Sequence, residues 1–220
     1  ARLSPSRPAK SRPRLGGPLP LAIALLVGFS AGRWTAPTTA GWPPRTAIEA
    51  ASHPPSRGAQ PNIILITIDT LRADHVGAYG HALPTTPWMD QVARDGVRFD
   101  RAISPSSWTV PAMASIFTSL YPHQHQIDRG AVIEGKISHQ PALSPQYSTL
   151  TERLRAAGYR TFGVTTNLHL TEELGYGQGF DLFVNEGFRD ADFVSDVVTG
   201  WLPELSGEQP TFLWMHLFDP

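Results

Sequence analysis

The sequence predicts an α/β domain built on a mainly parallel sheet. Two observations carry this expectation. Apolar runs of strand length recur at Asn62–Ile68, Arg160–Thr166 and Thr211–Leu217, and the segments between them carry helical spacing and helix-boundary residues. Alternation of this kind favours parallel strands covered by helices on both faces. No internal repeat is visible.

At 220 residues the chain has room for one domain plus appendages. Its 18 basic and 19 acidic residues give no electrostatic preference for nucleic acid, and none is expected as a partner. The absence of cysteine excludes disulfides, thiolate zinc sites, a lipoprotein cysteine and a cysteine nucleophile.

Residues 1–14 hold Arg2, Arg7, Lys10, Arg12 and Arg14 with no acidic residue, and read as a disordered basic segment. Residues 15–34 are largely apolar behind that flank, which fits a signal peptide or a membrane anchor. Either would place the rest of the chain on the extracytoplasmic side. Residues 35–60, rich in Pro, Ala, Thr and Ser, read as an extended linker. The folded domain is expected over 61–220. Because the chain begins with Ala1 and stops at Pro220 just past a strand, it is expected to be incomplete at both ends.

Within the domain, the β-branched run Asn62–Ile68 is the first strand. Thr86 and Pro87 open a helix to Asp95, with Gly96 as its stop. Val97–Ile103 alternates as a second strand. A short helix is expected over Pro111–Ser119, followed by a loop bearing His123 and His125. Thr149 and Glu152 form a capping box for a helix ending at Gly158. Arg160–Thr166 is the next strand. Val194, Val197, Val198, Trp201 and Leu202 share one face of a helix starting near Asp190. Thr211–Leu217 is apolar enough to be a central strand.

Chemistry concentrates at two places. Asp69 follows the first strand directly, where an unpaired carboxylate is costly to bury but where open α/β sheets collect ligands. It is a candidate metal ligand; a turn or helix-capping aspartate is the plain alternative. Thr109 lies two residues before Pro111. A hydroxyl there would stand beside the free N–H groups and positive end of a helix dipole, suited to attack on a tetrahedral anion. Simple capping by Thr109, Ser107 or Ser106 is the alternative. His216, near the end of the last strand, is a candidate substrate-facing or supporting residue. His75 is a candidate for pocket contact, whereas His123 and His125 read as loop-fixing.

The stretches PNIILITIDTLRADHVGAYG (61–80) and TTPWMDQVARDGVRFDRAISPSSWTVPAMASIFTSLYPHQH (85–125) resemble the N-terminal half of the sulfatase family of the alkaline phosphatase superfamily. GYRT at 158–161, GQGFD at 177–181 and WMHLFDP at 214–220 extend the resemblance. It implies a sandwich around a large sheet and a divalent metal cation (Ca, Mg, Zn or Mn) at the strand ends. Asp69 falls on the family's first metal-ligating aspartate, and Thr70 stands where a second is common. Thr109 falls on the nucleophile, a second contact to the metal. Sulfatases oxidise a cysteine or serine there to formylglycine, within Cys/Ser-x-Pro-x-Arg. Here the motif is Thr109-Val110-Pro111-Ala112-Met113. Oxidised threonine would be a ketone, so no formylglycine is expected, and Met113 replaces the arginine. Asn167 and His169 stand where the family carries a Lys-x-His substrate contact.

The resemblance therefore implies metal-dependent hydrolysis of a sulfuric or phosphoric ester through Thr109, on a small-molecule, glycan or lipid substrate. A phosphoryl or phosphoethanolamine transferase of the same fold and a catalytically inactive sulfatase-like domain are the alternatives. The remaining metal ligands of the family lie beyond residue 220, so the 220-residue chain alone is expected to bind metal weakly and to lack turnover.

Overall fold

A computed structural model describes residues 21–27, 60–128, 131–133, 136–139 and 141–218. The expected basic segment 1–14, residues 15–20 and 28–34 of the apolar stretch, and all of the linker except Gln60 lie outside them.

Strands β1 (Leu21–Val27) and β2 (Asn62–Ile68) come first. Two 3₁₀ turns and helices α1 (Pro87–Asp95), α2 (Thr109–Thr118) and α3 (Pro122–His125) come next. A hairpin, β3 (Ala131–Ile133) and β4 (Lys136–His139), precedes α4 (Leu150–Ala156) and β5 (Arg160–Thr165). Then come β6 (Leu182–Asn185), α5 (Ala191–Gly200), α6 (Leu202–Leu205) and β7 (Thr211–Leu217). The main sheet runs β1-β2-β7-β5-β6 with every neighbouring pair parallel. The expected parallel α/β architecture is therefore present, and β7 is its central strand.

Period-two alternation divides the sheet's side chains between two faces. Leu65, Phe212 and Trp214 meet Val110, Met113, Ala114 and Phe117 of α2 in one core, closed by Leu170 and Tyr176. Removing each of the Leu, Val, Met and Phe side chains among them from water contributes about 1.5–3 kcal/mol. Gly163 sits beside Trp214 in the register because a Cβ there would come within 2.9 Å of both Phe180 and Phe183. On α5, Val194 is buried and Trp201 follows the last turn with its ring 5.6 Å from Phe162 of β5.

Three expectations are corrected. Val97–Ile103 is not a strand: no partner strand lies beside it among the described residues, and Val97, Phe99 and Ile103 are exposed. Side-chain bonds hold this segment instead, Tyr79 Oη donating to the Phe99 carbonyl and Arg98 to that of Ala78. Helix α2 begins at Thr109, not Pro111, because proline is tolerated anywhere in a first turn, where N–H groups have no helical acceptor. Leu202 leaves the α5 face; it opens α6 ahead of Pro203 and is exposed. Leu21–Val27, part of the apolar signal or anchor stretch, is extended and pairs in parallel with β2. Such a run suits a sheet edge as well as a helix. No described helix is long and apolar enough to cross a membrane. The short strand β6 and the β3–β4 hairpin were not anticipated.

Candidate active site

Asp69 follows strand β2 directly, and its N–H donates to the Leu217 carbonyl at 2.8 Å, so the carboxylate stands beside the end of β7. Helix α2 brings Thr109 to it from across the core. Trp108 occupies the N-cap position in extended conformation and contributes no capping side chain. Ser106 Oγ accepts the Trp108 N–H at 3.1 Å, fixing the approach to the helix. The Thr109 hydroxyl is thereby released from capping. It donates to Asp69, 3.0 Å from Oδ1 and 3.1 Å from Oδ2.

Two further groups converge. Asn167 Nδ2 donates to Asp69 Oδ2 at 2.9 Å, while Asn167 Oδ1 accepts the His169 N–H. His216 Nε2 lies 3.6 Å from the same Oδ2, beyond hydrogen-bond length but close enough for electrostatic attraction. Burial alone would raise the Asp69 pKa. The His216, Thr109 and Asn167 contacts outweigh it and hold the carboxyl below its ordinary 3.8. Asp69 is thus a carboxylate at neutral pH. Asp69, Thr109 and His216 border a cavity of about 740 Å³ walled mainly by apolar side chains, among them Leu71, Ile103, Trp108, Met113 and Ile116.

Of the residues singled out from sequence, Asp69, Thr109 and His216 come together. His169 stands nearby, its ring 6.4 Å from that of Trp108 in an edge contact. His75 is exposed and stacks on His81 at 5.3 Å, outside the cavity lining. His125 is loop-fixing: Nδ1 accepts the Ile127 N–H at 3.0 Å and Nε2 meets Ser115 Oγ at 3.0 Å. Asn167 touches Asp69 directly, though the sequence marked it only by its neighbourhood with His169. Thr67, which meets His216 Nδ1 at 2.8 Å, was missed altogether. A polar residue inside an apolar strand was the available signal.

The sulfatase family model matches residues 61–218. The chain belongs to the sulfatase family. Among curated sulfatases, human arylsulfatase A is 33% identical over 147 residues, covering 66% of this chain and 27% of that protein. The N-acetylglucosamine-6-O-sulfatase of Bacteroides thetaiotaomicron is 30% identical over 122 residues, 56% of this chain and 20% of that protein. The chain thus spans about a quarter of these sulfatases' length or less. Among solved structures, that of BT4656 in complex with its substrate D-glucosamine-2-N,6-O-disulfate matches with TM-score 0.59 and 22% identity, covering 71% of this chain and 34% of that one. The phosphonate monoester hydrolase of Agrobacterium radiobacter matches with TM-score 0.50 and 21% identity, covering 72% and 41%. At these identities the likeness is one of fold.

Proposed function

We propose that this chain carries the nucleophile of an ester-hydrolase site, with Thr109 attacking the phosphorus or sulfur of a phosphate or sulfate ester. The observation that supports this most is the bond from the Thr109 hydroxyl, at the start of a ten-residue helix, to the part-buried carboxylate of Asp69. In the step proposed, Thr109 Oγ1 bonds to the central atom and its proton passes to water. The bond to the leaving alcohol breaks, and the alcoholate takes a proton from water. Water then attacks the threonine ester and restores the hydroxyl. The N–H groups of the first turn of α2, beside Thr109, suit the developing negative charge on the ester oxygens.

The donors present suit part of a divalent-cation site. Asp69 supplies an anionic oxygen whose pKa is already low, and Thr109 a neutral one; these two residues would hold the cation. Among the described residues no group of three His, Asp or Glu converges, so further ligands would be needed. When bound, the cation supplies Lewis-acid polarisation of the ester and of the attacking hydroxyl.

Phosphate esters are the preferred substrates in this reading, because threonine cannot yield the aldehyde that sulfate elimination from formylglycine requires. Met113, where the resemblance would place an arginine, is buried in the core. In chemical class the ester is that of a small molecule, a glycan or a lipid; the apolar cavity wall suits a leaving group with an apolar face. The test is hydrolysis of aryl phosphate, aryl phosphodiester and aryl sulfate by the whole protein and its Thr109→Ala variant. Loss of turnover in the variant supports the proposal, and retained turnover refutes it.

Extracytoplasmic placement, exported or membrane-anchored, is part of the same proposal. It is supported by the basic residues before the apolar stretch. A reporter active only outside the cytoplasm, fused after Gln60, is expected to be active; an inactive reporter in a well-expressed fusion would favour the β1–β2 pairing as the sole role of Leu21–Val27.

A further inference from the structure

An anionic ester brought to Thr109 meets the Asp69 carboxylate there, and the two repel unless a positive group stands by. Met113 offers none, although the sulfatase motif carries arginine at its position. Of the described lysine and arginine side chains, only Arg72 walls the cavity that Asp69 and Thr109 border.

The chain reaches Arg72 through a strained turn. Thr70 follows Asp69 with φ +55°, in the left-handed region that a β-branched residue seldom adopts. Strain of this kind persists where the surrounding structure enforces it, and it gathers at ligand sites. Leu71 is then buried, while Arg72 is exposed in extended backbone at the cavity wall.

Asp74 fixes the guanidinium. Its Oδ1 accepts from Arg72 Nε at 2.9 Å and its Oδ2 from Nη2 at 2.6 Å. A guanidinium has five N–H donors in a rigid fork, and this pair uses two of them. Both N–H groups of Nη1 and one of Nη2 have no partner among the described residues. An exposed ion pair contributes little to stability. What this one does is hold a planar set of donors in one orientation.

We propose that Arg72 binds the anion at this site: the free N–H edge of its guanidinium, held by Asp74, donates to non-bridging oxygens of the phosphate ester that Thr109 attacks. Arginine keeps its charge at any working pH, and its fork matches two oxygens of one phosphate. The identity of the ester rests on the ester-hydrolase reading, whereas phosphate binding at Arg72 is measurable without turnover.

The test uses the whole protein, as purified, carrying Thr109→Ala so that phosphate cannot be esterified there. Inorganic phosphate is titrated into it by calorimetry with Arg72 intact, and again with Arg72→Gln, Arg72→Lys or Asp74→Asn added. Arg72→Gln should weaken binding by about tenfold or more, and Arg72→Lys, which keeps the charge without the fork, by less. Asp74→Asn should also cost less than Arg72→Gln, because the guanidinium remains. No phosphate binding with Arg72 intact, or an unchanged affinity in Arg72→Gln, overturns the proposal. So does an equal loss in Asp74→Asn, which would leave Arg72 only its ion pair. A second measurement needs no variant: phenylglyoxal modification of Arg72 in the unaltered protein, followed by the mass of its peptide, should be slowed by inorganic phosphate. An unchanged rate overturns the proposal as well. Turnover persisting in Thr109→Ala would sink the hydrolase reading and leave the phosphate measurements to judge Arg72.

Discussion

The Tyr176 hydroxyl donates to the carbonyl of Val110 at 2.7 Å, deep in the core, one residue past the proposed nucleophile. The bond ties the loop after β5 to the first turn of α2 and so holds the turn that presents Thr109. Burial pushes the Tyr176 pKa up, so the phenol stays a neutral donor at any ordinary pH. Tyr176→Phe keeps the ring's packing and removes only this bond. It should lower unfolding stability by about 0.5–1.5 kcal/mol, read as a lower urea midpoint at unchanged slope. An unchanged midpoint would mean the bond is replaced by solvent.

A second prediction concerns the carboxylate. Asn167→Asp would replace the amide donor to Asp69 with a second negative charge. With divalent cations chelated, the variant should unfold about 1–3 kcal/mol more easily than the parent, and Asn167→Ala should fall between the two. Equal stability of the Asp and Ala variants would show that the amide does not serve Asp69.

Acid should weaken the fold through His125. Burial, the largest influence, pushes its pKa below 6.5, and Nδ1 is already occupied as an acceptor for the Ile127 N–H. With the folded value depressed, stability is fully present above about pH 6.5. It falls as the pH drops from there toward the folded value, where the unfolded chain binds a proton that the folded chain does not. The slope is at most about 1.4 kcal/mol per pH unit. His125→Gln should flatten thermal stability across that window; an unchanged slope would assign it to another group.

Gly179 tests the backbone. Its φ is +86°, and an added Cβ would lie 2.5 Å from the Glu152 backbone nitrogen, inside the capping box that starts α4. Gly179→Ala should therefore cost more than about 1 kcal/mol, read by urea titration. Full stability would require the loop to shift away from α4.

These residues show what the sequence could and could not reveal. Asn62–Ile68 and Thr211–Leu217 were legible because buried parallel strands read as unbroken apolar runs. Thr149 with Glu152 announced its helix because capping is local chemistry. Val97–Ile103 misled because alternation specifies a half-buried strand only where a neighbour offers a ladder. β6 escaped notice because its four residues are too few to show a period. Asp69 and Thr109 were found through strand-end and helix-start logic together with the family resemblance. Asn167 and Thr67 act across strands, at separations of 98 and 149 residues from Asp69 and His216, and no local pattern carries such a contact.

The most direct test of Thr109 as nucleophile is covalent. The whole protein, acid-quenched during turnover of an aryl phosphate, is digested and the peptide spanning Thr109 examined by mass spectrometry. Phosphate esterified to Thr109 is the predicted result, absent from Thr109→Ala, whose turnover should fall by about a thousandfold or more. Sustained turnover with Thr109 unmodified, matched by an equally active Thr109→Ala protein, would contradict the account.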